Sequence, residues 1–95
     1  MKLKIGDYEI PEHCLRYIVL YPESSSVVFA GVLVGDQRLQ EKVKLRRLAE
    51  TRAIPYEAVD RNGVPATGIC DIKNLKFDGN TTQMIKFSGR LVRPF

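Results

Sequence analysis

Apolar and polar positions along this chain follow two different periods. Leu3 and Ile5 alternate with Lys2 and Lys4, Gly6-Asp7 interrupts them, and Tyr8-Glu9-Ile10-Pro11 resumes the extended pattern. Cys14 to Tyr21 and Val27 to Val34 read as two further strands, joined by the polar connection Pro22 to Ser26. Val27 to Val34 is apolar on both parities, with Val27, Phe29 and Leu33 on one side and Val28, Ala30, Val32 and Val34 on the other. A strand of that kind is covered on both faces, by its own fold or by a neighbour. One helix and a small sheet cover only one face well, so the side carrying Val28, Val32 and Val34 is expected to meet another subunit.

From Arg38 the period changes. Leu45, Leu48, Ala49 and Arg52-Ala53 recur at helical spacing, and the segment is rich in good helix formers. Asp36 is placed to cap the start, and Pro55 disfavours the α region at Ile54, which ends the helix before that residue. Read instead as a strand, Leu39, Val43 and Leu45 share a parity that Glu41 and Arg47 break. The helix is the favoured reading, although Leu39 and Val43 fall away from Leu48 on the wheel.

Two turns organise the rest. Asp60-Arg61-Asn62-Gly63 separates Ile54 to Val59 from Val64 to Ile69, and Asn-Gly supplies the positive φ that a tight hairpin needs. Phe77-Asp78-Gly79-Asn80 separates Ile72 to Phe77 from Gln83 to Val92. In that last segment Ile85, Phe87 and Leu91 share one parity while Lys86, Ser88 and Arg90 take the other, wet face. The expected fold is α+β in a single domain over residues 1–95: a small antiparallel sheet or partly open barrel with one helix packed against it by Leu45, Leu48 and Ala49.

Composition narrows the function classes. At 95 residues, 44% hydrophobic and 27% charged, the chain suits one globular domain that buries roughly two thirds of its unfolded surface. The eight-residue run Val27 to Val34 is far short of the ~20 residues a membrane helix needs, and the first residues contain no apolar core of a signal peptide. A soluble, cytoplasmically made chain is the expectation. Cys14 and Cys70 have no CxxC partner and are expected to be reduced and buried. His13 is the single histidine, so no four-ligand metal set can be proposed. No cofactor is expected.

Candidate catalytic chemistry is sparse. Carboxylate pairs such as Asp7 with Glu9, or Asp60 with Asp71, are expected on solvated surface, and no glycine spacing suits a phosphate cradle. The charge is unevenly placed. The chain's net +4 equals that of Arg38 to Arg52 alone, where six basic residues (Arg38, Lys42, Lys44, Arg46, Arg47, Arg52) meet two acidic ones. On a helix these cations scatter to several sides and have no interleaved aromatics. That leaves three readings: a solvated face, a surface that orients a protein neighbour through Arg46, Arg47 and Arg52, or a nucleic-acid contact.

The order of features from Val28 onward resembles a known family. Phe29-Ala30-Gly31-Val32-Leu33 is followed by Leu45-Arg46-Arg47-Leu48-Ala49-Glu50-Thr51-Arg52-Ala53-Ile54-Pro55 and by Asp60-Arg61-Asn62-Gly63. Gly68-Ile69-Cys70-Asp71-Ile72 and Phe77-Asp78-Gly79-Asn80 come next, and Ile85-Lys86-Phe87-Ser88-Gly89-Arg90-Leu91-Val92-Arg93 closes the series. Together they are similar to the gpU-type tail proteins of P2-like contractile-tailed phages. Ile5-Gly6-Asp7-Tyr8-Glu9-Ile10-Pro11 resembles the opening of small modules in other phage tail and baseplate proteins. The resemblance implies a small α+β building block of a phage or phage-derived tail or baseplate region in the virion. It would act without catalysis, by self-association into a homo-oligomeric ring and by docking to other tail or baseplate proteins. From the residues themselves no membrane is expected, and the scattered helix cations without interleaved aromatics make nucleic acid an unlikely partner; a small basic nucleic-acid-binding domain is the alternative.

Overall fold

Most of the polar interruptions in the sequence become turns in the computed structural model, which describes residues 1–79 and 83–94. Its strands are β1 (Lys2–Ile5), β2 (Tyr8–Glu9), β3 (Leu15–Tyr21), β4 (Ser26–Val34), β5 (Ile54–Val59), β6 (Pro65–Asp78) and β7 (Met84–Val92), and its helix is α1 (Arg38–Glu50). Single 3-10 turns at Glu12–Cys14 and Pro22–Ser24 flank β3. The Asp60–Val64 turn is held from within. The Asp60 carboxylate accepts the Asn62 and Val64 N–H groups at 2.9 and 2.8 Å, and Gly63 takes φ +81°. Of the turn expected at Phe77 to Asn80, Gly79 adopts φ +62° after β6 ends at Asp78, and Asn80 lies outside the described residues. No helix among the described residues is long and apolar enough to cross a membrane.

All strand pairings are antiparallel, in the order β2-β1-β5-β6-β7-β4-β3. The two strands expected at residues 64–69 and 72–77 are one strand of 14 residues, β6. Cys70-Asp71 has neither Gly nor Pro, and the Asp71 carboxylate bonds Ala53 and Arg52 rather than closing a local turn, so the chain stays extended and changes partner instead. Pro65 to Cys70 pairs with β5, and Asp71 to Asp78 pairs with β7, with an irregularity between Lys73 and Lys76 where Asn74 takes φ +56°. Seven strands to one helix make the domain mostly β, which corrects the α+β balance expected from the sequence. The sheet is also not closed into a barrel: terminal strands β2 and β3 do not pair. Residues 10–14 link them, which keeps the end of one within about 20 Å of the start of the other.

The inward parities of both halves of the sheet form one buried cluster. It includes Leu3 and Ile5 of β1, Ile54 and Ala58 of β5, Cys70 and Ile72 of β6, Ile85, Phe87 and Leu91 of β7, and Val27, Phe29 and Leu33 of β4. Two glycines make room for it. A Cβ on Gly31 would stand 2.0 Å from the Cys14 carbonyl oxygen, so only glycine lets the turn before β3 fold onto β4. A Cβ on Gly89 would stand 2.7 Å from the Phe29 ring, which lies across that position and meets Phe87 at 6.3 Å between centroids. Cys14 and Cys70 are free and buried in this core, and burial pushes the Cys70 thiol up to about 11.

Helix α1 begins where expected but ends at Glu50, with Thr51 extended as its C-cap and Ala53 at φ +54°, so Arg52 and Ala53 fall outside it; its expected N-cap also differs. Gln37 holds the N-cap position and no side chain bonds the first turn, so Asp36 does not act as the cap. Leu45 is fully buried and Leu48 and Ala49 pack at the cluster's margin, whereas Leu39 and Val43 are exposed, as the imperfect wheel implied.

Candidate assembly surface

Antiparallel partners directly opposite one another point to the same side of a sheet, so the registers assemble the outer face residue by residue. Tyr17 lies opposite Ala30, Ala30 opposite Ser88, and Ser88 opposite Lys76. The next row runs Val19, Val28, Arg90, Lys73. Toward the other end of β4, Val32 stands opposite Lys86, which stands opposite Asp78, and Val34 stands opposite Met84. The first two rows begin apolar on β3 and β4; the first passes through Ser88 of β7 to Lys76 of β6, and the second ends on the cations Arg90 of β7 and Lys73 of β6. The face therefore has an apolar half and a basic half.

β4 follows the division read from the sequence. Val27, Phe29, Gly31 and Leu33 are buried inward; Val28, Ala30 and Val32 are half-buried outward and Val34 is exposed. A shallow trough of about 390 Å³ crosses the face, lined among others by Tyr17, Ala30, Val32, Lys76, Lys86 and Ser88. Among the described residues, no carboxylate forms an ion pair with Lys73, Lys76, Lys86 or Arg90. All four are exposed. Unpaired cations beside desolvatable valines and a tyrosine can steer and orient an acidic partner surface while the apolar half supplies contact area.

The helix cations are elsewhere. Because α1 inserts Leu45 into the inward cluster, Arg46 and Arg47 lie across the β4–β7 layer from Val28, Val32 and Val34, not beside them. Their surroundings also differ from the expected open charge. Lys42 and Arg46 stand over the Phe77 ring at 5.3 and 5.7 Å, and Lys44 stands 5.7 Å from the Tyr8 ring. The Tyr8 hydroxyl donates to Glu41, tying β2 to the helix, and burial followed by that hydrogen bond raises its pKa. Arg47 is exposed.

Arg52 has a partner within its own chain. Its Nη2 and Nε each stand 3.3 Å from Oδ2 of Asp71, and the Ala53 N–H donates to Asp71 Oδ1 at 2.7 Å. Asp71, expected on solvated surface, is instead 3% exposed. The Ala53 N–H and then the Arg52 guanidinium hold its carboxyl below the usual range, outweighing the opposing effect of burial. This contact fixes the point at which β5 begins and β6 changes partner, with Ala53 at φ +54°.

The four sheet cations are what the sequence reading missed. Outside Arg38 to Arg52 the chain is neutral in sum, yet pairing of β6 with β7 gathers Lys73, Lys76, Lys86 and Arg90 on one face. The parity of Lys86, Ser88 and Arg90 was the available signal. Comparison of the chain with known protein families, with curated proteins and with solved structures found no match.

Proposed function

We propose that this chain is a non-enzymatic structural subunit of a phage or phage-derived tail or baseplate region, and that it self-associates and docks to neighbouring tail proteins through the outer face of β3, β4 and β7. The observation that carries the reading is the half-apolar, half-basic face built on Val28, Val32 and Val34. The order of sequence features resembling gpU-type tail proteins supplies the biological setting. Several groups that could serve catalysis are engaged in the fold instead: Asp71 anchors Ala53 and Arg52, Tyr8 and Glu41 join β2 to α1, and Cys70 lies in the core. Such a subunit functions in the assembled virion.

A second reading has a specific observation behind it. Lys73, Lys76, Lys86 and Arg90 around Tyr17 also suit a phosphate backbone with one stacked base. The aliphatic half of the face favours protein, because valines and a methionine give no stacking platform. Gel-shift titration with single- and double-stranded DNA and RNA at rising salt separates the two. The tail reading expects no binding near physiological salt; tight binding with a steep log–log salt slope would contradict it.

A further inference from the structure

Strand β3 ends the sheet and is complementary to itself. The opposite terminal strand, β2, is two residues long, which leaves little edge to pair, but β3 spans seven. Natural proteins blunt exposed edges with charge, proline, bulges or short length. Between Tyr17 and Tyr21 this edge has none of them. Tyr17-Ile18-Val19-Leu20-Tyr21 contains no charged residue, proline or glycine, and the outward Tyr17, Val19 and Tyr21 are 41%, 38% and 47% exposed. Both ends of the window are closed. The irregularity between Leu15 and Tyr17, with Arg61 donating to the Arg16 carbonyl at 3.3 Å, stops pairing at one end. Pro22, which has no N–H, stops it at the other.

We propose that β3 pairs antiparallel with β3 of a second copy about a two-fold axis at Val19, joining two sheets into one. This deepens the assembly reading and rests on it for taking the chain as self-associating. The occupant is a second copy because the segment is nearly symmetric in character about Val19. Tyr17 meets Tyr21 of the second copy, Ile18 meets Leu20, and Val19 meets itself, so aromatic and branched pairs fall on matching sides of the sheet. Charge agrees at the margins: Arg16 lies opposite Pro22, one position from Glu23, and both Arg16 and Glu23 are exposed. A two-fold axis repeats that cation–carboxylate approach at each end of the window. The mode is strand addition, with backbone hydrogen bonds giving contact and the side-chain symmetry giving register.

Sedimentation equilibrium of the full chain tests this. Wild type should sediment at twice the monomer mass. Val19→Lys and Val19→Glu should each raise the dimer dissociation constant about tenfold or more, because like charges then oppose each other on the axis. An equal mixture of the two should recover the dimer. Matching circular dichroism spectra would establish that both variants fold. A wild type that stays monomeric at its highest soluble concentration overturns the proposal, and so does either folded variant dimerising like wild type or a mixture that does not recover. If β3 pairing fails while Val32→Asp still blocks tail incorporation, only the pairing falls. If pairing holds while Val32→Asp incorporates normally, it is the tail reading that falls.

Discussion

Leu45 and Leu39 lie on the same helix, yet only Leu45 has its whole side chain in the core. Truncating Leu45 to Ala removes buried methyl groups and leaves a cavity, so it should cost about 2–5 kcal/mol in urea unfolding. Leu39→Ala should change stability by about 0.5 kcal/mol or less. Asp71 gives a prediction in pH. Its folded pKa is depressed, so its contribution is present above the unfolded carboxylate value of about 3.9 and is lost as pH falls through the lower folded value. Asp71→Asn should therefore melt below wild type at neutral pH, with the gap narrowing as pH falls below about 4; a gap constant down to acid pH would show that the carboxylate charge contributes nothing. At this scale the sequence was legible where burial follows parity, as in Phe29, Leu33, Ile85 and Phe87. It was not legible for Asp71 or Arg52, whose pairing depends on two segments 19 positions apart meeting in space.

At the scale of elements, the proposed account gives the outer sheet the orienting role that charge counting assigns to the helix. The segment from Arg38 to Arg52 carries the chain's net charge, but Lys42, Lys44 and Arg46 lie over aromatic rings of their own fold, and Arg52, just beyond the helix, is held by Asp71. The sheet cations cancel in any count along the chain, and only strand pairing concentrates them. The helix and its start were readable from spacing, but its end at Glu50 was not, because Arg52 and Ala53 leave the helix to meet Asp71 before Pro55 is reached. The single long β6 was not readable either, because the change of partner falls at Asp71, whose carboxylate is taken by Ala53 and Arg52 from a distant segment instead of closing a turn. Lys76→Glu with Lys86→Glu should slow association with a partner, with an effect that weakens as salt rises. Arg46→Glu with Arg47→Glu should leave that association rate near wild type. Equal slowing by both pairs of reversals would restore the helix as the orienting surface.

At the scale of the whole molecule, the fold leaves two features of the same layer incompletely used. One is an open edge along β3, and the other is a face whose apolar half is continuous from Tyr17 and Val19 to Val28, Val32 and Val34. A domain of this size buries limited surface on its own, so further burial against neighbours would add to its stability. The doubly apolar β4 made the face visible in sequence, and the edge became visible only once β3 was known to end the sheet. The most direct test of the assembly reading is incorporation. Tagged wild type and Val32→Asp would be expressed with the tail genes, and purified tail particles quantified by mass spectrometry, after circular dichroism has shown that the variant folds. The account predicts wild type in the particles at a fixed ratio to the other tail proteins, and Val32→Asp left in the soluble fraction. Wild type absent from the particles, or folded Val32→Asp incorporated at the wild-type ratio, would contradict it.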